Sequence, residues 1–139
     1  MADTDERATP IELFNELDDE FYFDVDVCAT KENAKCARYY TKEDDAFAQK
    51  WSRQNCFMNP PYSNIERWLN KAKFESERGA LVVAILPMDS STEWFHKYIW
   101  DKIVRAWRVP VILPDKRYAF GDNVNSAKFA TLIAIFGSK

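Results

Sequence analysis

Asn59-Pro60-Pro61-Tyr62 sets an amide side chain, a proline-locked backbone and an aromatic ring within one tetrapeptide. That combination suits one chemical problem, methylation of an exocyclic amine. The amino nitrogen of adenine or cytosine is a poor nucleophile because its lone pair is delocalised into the ring. Two acceptors aimed at its N–H bonds favour a pyramidal nitrogen with a localised lone pair, and they act most strongly where positive charge develops in the transition state. The Asn59 side-chain oxygen supplies one acceptor and the Pro60 carbonyl the other. Pro60 and Pro61 hold both in a turn that needs no reorganisation, and Tyr62 offers a face on which a base stacks. The competing reading is an ordinary proline loop, since Asn-Pro and Pro-Pro are common turn punctuation.

The flanking elements favour chemistry. A short strand, Cys56 to Met58, runs straight into the tetrapeptide and must end there, because proline cannot continue a ladder. Ser63 and Glu66 form a capping box opening a helix with an apolar stripe of Ile65, Trp68, Leu69 and Ala72, which Gly79 terminates. Ala80 to Leu86 is an unbroken apolar run closed by Pro87, as in a strand buried on both faces.

Toward the N-terminus, Thr9 as N-cap, Pro10 at the first helical position and Glu12 predict a helix to about Asp19. Phe21, Phe23, Val25 and Val27 alternate with polar residues as a strand would, with Asp24 and Asp26 on the opposite face. A short helix follows over Thr30 to Tyr40, then the acidic turn Glu43, Asp44, Asp45 and a brief helix ending near Trp51. Beyond the middle, Ser90 and Glu93 open a further helix, and Ile103 to Leu113 and Lys128 to Phe136 read as strands. This alternation predicts a single α/β domain over residues 1–139, with a mostly parallel sheet, helices on both faces and no separate target-recognition domain.

Composition limits the partners. Lys plus Arg is 19 against 22 for Asp plus Glu, a net charge of -3, so the whole-chain field does not attract polyanions and any nucleic-acid contact must be a local patch. Asp115 to Lys128 is the candidate, with Lys116, Arg117, Tyr118, Asn123, Asn125 and Lys128 around Gly121. Cys28, Cys36 and Cys56 read as reduced thiols, His96 as a surface or packing histidine, and the chain as soluble and cytoplasmic with no membrane segment. The 3 glycines all lie beyond the middle, which excludes a glycine-rich phosphate loop.

Almost the whole chain resembles the small phage and prophage DNA adenine N6-methyltransferases, the Dam-like group. The likeness runs through Thr9-Pro10 with Leu13-Phe14, Phe23-Asp24-Val25-Asp26-Val27-Cys28-Ala29, Asn33-Ala34-Lys35-Cys36, Tyr40, Asp44-Asp45-Ala46-Phe47, Trp51 and Phe57-Met58 leading into the tetrapeptide. It implies a compact Rossmann-like fold that uses S-adenosylmethionine, needs no metal, and methylates N6 of adenine in double-stranded DNA by direct in-line transfer. By position it assigns the cofactor to Asp26 with Cys28 and Ala29, to Asp44 or Asp45, and to Thr9 with Pro10 at the methionine end. A carboxylate at the C-terminal end of a parallel strand independently suits that crevice. The target base must leave the stack, with Phe57, Tyr62 and Phe120 as candidates to hold it. The resemblance further suggests GATC as the recognition site and a restriction-modification setting. One departure is the segment Asp26-Val27-Cys28-Ala29-Thr30, which lacks the glycine-rich turn of larger methyltransferases. Two alternatives stand beside the leading reading: cytosine N4 methylation, and a non-catalytic DNA-binding or assembly module that has lost cofactor binding.

Overall fold

A computed structural model describes residues 8–121 and 128–137, the side chains of Lys128 and Phe129 excepted. In chain order the elements are α1 (Ile11–Phe21), β1 (Val25–Asp26), β2 (Asn55–Met58), α2 (Ile65–Ser76), β3 (Leu81–Pro87), β4 (Trp100–Asp101), β5 (Ala106–Trp107), β6 (Val111–Ile112), β7 (Tyr118–Ala119), β8 (Lys128–Phe129) and β9 (Thr131–Phe136). Five strands form the main sheet in the order β1-β2-β3-β9-β6, while β4 with β5 and β7 with β8 make two small hairpins.

The apolar run that predicted a doubly buried strand is β3, at the centre of the sheet, and every residue from Leu81 to Leu86 is buried. Its alternating side chains feed two cores. Val82, Ala84 and Leu86 pack with Trp68, Leu69 and Ala72 of α2. Leu81, Val83 and Ile85 pack with Leu13, Phe14, Leu17 and Phe21 of α1. Helices therefore cover both faces, and the period of two in β3 meets the helical period of the stripes on α1 and α2.

The expectation of a mostly parallel sheet needs correction. β1 pairs with β2 and β2 with β3 in parallel, but β9 is antiparallel to both β3 and β6. The cause is topological. Parallel neighbours need a crossover that returns the chain to its starting edge, as α2 does between β2 and β3. Between β6 and β9 no such helix intervenes among the described residues, so the chain turns over at the strand tips and comes back down.

Several local expectations also change. Thr9 does not cap α1: Pro10 holds the N-cap position without a side-chain bond, and Glu12 pairs with Lys116 at 2.9 Å. The expected strand over residues 21–28 shrinks to Val25–Asp26, because Phe21 ends α1 and Tyr22 reverses the chain in the left-handed region. The expected helix over Thr30–Tyr40 is a loop, closed by reciprocal bonds between Thr30 and Asn33, with Tyr39 bridging in parallel to Asp26 along the outer edge of β1. Short polar side chains that bond the nearby backbone compete with helix in this way. α2 opens at Ile65 behind a 3-10 turn over Tyr62–Asn64, and Glu66 reaches Lys97 at 2.8 Å rather than closing a capping box. The helix expected from Ser90 is a short turn of π type over Phe95–Ile99, entered through Thr92, whose hydroxyl accepts from the Phe95 N–H at 3.3 Å. Ile103–Leu113 is not one strand, since β5 folds back on β4 before β6 begins.

Candidate active site

Because β1 and β2 run parallel, their C-terminal ends reach the same edge of the sheet, with Asp26 last in β1 and Asn59 directly after β2. A cleft of about 650 Å³ opens there, within the range that holds cofactor-sized ligands. Of the residues expected in the site it brings together Thr9, Asp26, Cys28, Ala29, Asp45, Phe57, Asn59 and Pro61.

Asn59 is half-buried, and its Nδ2 donates to the Thr9 hydroxyl at 2.8 Å. The bond leaves Oδ1 as the other end of the amide. Pro60 is buried and Pro61 is extended at φ -65°, ψ 142°, so the turn is stiff as the two prolines predict. Tyr62 lies outside the cleft lining and packs partly buried against the α2-side core.

Asp26 is 3% exposed and works as a clamp. Its Oδ1 accepts from the Cys28 N–H at 3.2 Å and its Oδ2 from the Lys35 N–H at 3.1 Å, so one carboxylate folds the loop that forms a wall of the cleft. Burial raises its pKa to about 6, against the lowering influence of those two amides. Residues 26–35 include none of the positive-φ positions, which answers the missing glycine: this loop turns without left-handed backbone.

Of the two neighbouring acids, Asp45 reaches the cleft and Asp44 does not. Asp44 accepts from the Thr41 N–H at 2.9 Å and the Thr41 hydroxyl at 3.1 Å, closing its own turn. Asp45 sits in the left-handed region at φ 55° and accepts from the Phe47 N–H at 3.2 Å. Asparagine and aspartate tolerate that conformation by such local bonds. Pro10 also lies outside the lining.

The structure adds residues that sequence patterns did not single out for the site. Phe47 meets Trp68 with ring centroids 4.4 Å apart, and the Arg67 guanidinium lies 3.8 Å over the Phe47 ring. Tyr40, Asn33, Lys35 and Glu43 complete the rim. The sequence signal for Phe47 was its place beside Asp45, while Trp68 read as one position in an apolar stripe.

The expected nucleic-acid segment reaches the same edge, where the Gly121 N–H donates to the Ala8 carbonyl at 2.9 Å. Its members fare differently. Lys116 and Arg117 are exposed, Lys116 in its pair with Glu12. Tyr118 is instead a core residue, 7% exposed and packed against α1 with its hydroxyl 3.3 Å from Glu16, because β7 turns it inward. Phe57 and Phe120 are likewise buried in that core, Phe57 edge-on to Phe14 at 5.0 Å; Phe57 also reaches the cleft lining, whereas Phe120 does not. Asn123 and Asn125 lie outside the described residues, as does the Lys128 side chain. None of the three cysteines is in a disulfide, and burial pushes Cys36 and Cys56 up to about 12, which keeps both as thiols at neutral pH.

The profile of the DNA N-6-adenine-methyltransferase (Dam) family matches residues 1–130. The chain belongs to this family. A DNA N-6-adenine-methyltransferase of Haemophilus phage HP1 is 34% identical over 125 residues, covering 88% of this chain and 69% of the phage protein. One from Escherichia phage T1 is 31% identical over 90 residues, which is 63% of this chain and 38% of that protein. A putative methyltransferase, YfdM, of Escherichia coli K12 is 40% identical over 65 residues, 42% of this chain and 71% of that one. The Dam-family match spans every segment that lines the cleft, from Ala8 to Trp68. No helix among the described residues is long and apolar enough to cross a membrane.

Proposed function

We propose that the cleft at the tips of β1 and β2 transfers a methyl group from S-adenosylmethionine to N6 of adenine in double-stranded DNA. The observation that carries the reading is Asn59 at the cleft edge, amide nitrogen held by Thr9, in a turn stiffened by Pro60 and Pro61.

The lining fits the cofactor. S-adenosylmethionine supplies a sulfonium-bound methyl group and carries an ammonium, a carboxylate and ribose hydroxyls. The cleft mixes Asp26, Glu43 and Asp45 with Lys35 and Arg67, and adds Tyr40, Phe47 and Trp68 as an apolar wall. Such a mixed lining suits a zwitterion with one flat ring. In this assignment Asp45 accepts from ribose hydroxyls, and Phe47 with Trp68 backs the adenine ring. Asp26 shapes the loop carrying Cys28 and Ala29. The sheet tips act as the crevice of a Rossmann-like fold.

At the other end the Asn59 oxygen and the Pro60 carbonyl accept the two N–H bonds of the target amine. That aligns the N6 lone pair with the methyl carbon; the carbon–sulfur bond breaks as the nitrogen–carbon bond forms, and N6 gives up one proton to solvent. The target is rotated out of the duplex, and Tyr62 stacks on it if its ring swings from the core surface. Exposed Lys116 and Arg117 take phosphates; Asn123, Asn125 and Lys128 of the same segment are assigned to DNA from the sequence alone.

The test is to incubate the protein with DNA and S-adenosylmethionine, digest to nucleosides and weigh them. N6-methyl-2′-deoxyadenosine is expected. N4-methyl-2′-deoxycytidine in its place would move the reading to cytosine, and an absence of heat on calorimetric titration with the cofactor would leave a DNA-binding module.

A further inference from the structure

Thr9 stands before α1, yet α1 does not use its hydroxyl, because Pro10 occupies the N-cap without a side-chain bond. The residue is 4% exposed. A buried hydroxyl is costly unless it is partnered, and a valine would fill nearly the same volume without that cost. Its partner lies far away in sequence: the Asn59 amide, whose Nδ2 donates to Thr9 Oγ1 at 2.8 Å. The backbone around Thr9 is pinned on both sides. The Ala8 carbonyl accepts from Gly121, and the Pro10 carbonyl accepts from Phe14 at 3.1 Å in the first turn of α1. Thr9 is thus a fixed post rather than a side chain that follows Asn59.

An asparagine amide has a broad, two-fold preference about its last torsion, and in the structure the nitrogen end of Asn59 is turned to the Thr9 hydroxyl. For accepting an N–H from a substrate, the two ends are not equivalent. We infer that Thr9 is a positioning residue for methyl transfer, its hydroxyl taking the nitrogen end of the Asn59 amide so that the oxygen end meets the amine of the target base. This rests on the reading of Asn59 above and replaces contact with the methionine end of the cofactor as the role of Thr9. A misplacement of the acceptor by a fraction of its own size is costly, since geometry errors of about 1 Å lower rates by about 100-fold.

The test uses the full chain with Thr9→Val, Thr9→Ser and Asn59→Ala, reading kcat, KM for DNA, the calorimetric Kd for S-adenosylmethionine and the thermal midpoint. Thr9→Val should lower kcat by about 10- to 100-fold while leaving KM and Kd in place, and Thr9→Ser should restore turnover. Adding Thr9→Val to Asn59→Ala should cost nothing further, because the two residues act as one unit. Wild-type kcat in Thr9→Val beside an inactive Asn59→Ala overturns the inference and leaves the reading of Asn59 intact. Wild-type turnover in Asn59→Ala overturns both. Weakened cofactor binding with kcat retained overturns it too, returning Thr9 to the cofactor site. Should Thr9→Val not fold, Thr9→Ser against Thr9→Ala decides: higher kcat in serine supports the inference, and equal values overturn it.

Discussion

Asn59→Ala deletes the proposed acceptor and leaves a residue that is only half-buried, so methyl transfer should fall by about 100- to 1,000-fold with the thermal midpoint near that of the parent. A radioactive methyl-transfer assay beside a melting curve reads both. Asp26 makes a separate claim about pH. Its folded pKa of about 6 stands above its ordinary value of 3.8, so folding favours the protonated form. The stability it contributes is fully present below about pH 4 and is lost as pH rises through 6. Unfolding free energies of the parent minus those of Asp26→Asn should therefore fall across that window by about 2–3 kcal/mol. Chemical denaturation at several pH values measures it; a flat difference would remove the buried carboxylate from the account.

Elements are where the sheet tips gain their walls. The segment carrying Asp45 and Phe47 is held to α2 by Glu75, 3% exposed, whose Oε1 accepts from the Trp51 N–H at 2.8 Å and whose Oε2 pairs with Lys71 at 2.7 Å. Lys71 in turn donates to the Gln49 carbonyl at 2.8 Å, and the Trp51 indole to the Ala46 carbonyl at 3.1 Å. Breaking a buried pair by removing one partner costs about 3–5 kcal/mol, so Glu75→Ala should destabilise by about that much and Glu75→Gln by less, on urea titration. These elements were unevenly legible in the sequence. The run from Ala80 to Leu86 and the stripe on α2 declare themselves, because burial on two faces and one helical face leave plain periods. The direction of β9 does not, since no residue in Thr131–Phe136 records that the connection before it carries no crossover helix among the described residues. Thr9 misleads for a physical reason: a threonine before a proline and a glutamate fits a cap, but its hydroxyl serves a residue whose proximity is known once the fold is known. Phe47 with Arg67 and Trp68 is a tertiary cluster of the same kind, whereas the proline turn after β2 is local and is visible at once.

For the whole molecule the net charge of -3 makes binding to DNA a matter of the edge that holds the cleft. Lys116 and Arg117 are exposed, and a solvent-screened surface pair such as Lys116 with Glu12 is weak, so a phosphate can take the place of the carboxylate. Neutralising both cations should reduce the slope of log K against log salt by about 2 on fluorescence anisotropy, with discrimination between sequences largely kept. An unchanged slope would place the phosphate contacts elsewhere.

The borders of the main sheet have a consequence for life at high concentration. On one side Tyr39 already lies along β1; on the other, β6 is two residues long and bracketed by Pro110 and Pro114. A second molecule seeking to extend this ladder meets an occupied groove at one flank and a short stub closed by prolines at the other, so the main sheet resists fibril-like stacking in the native state.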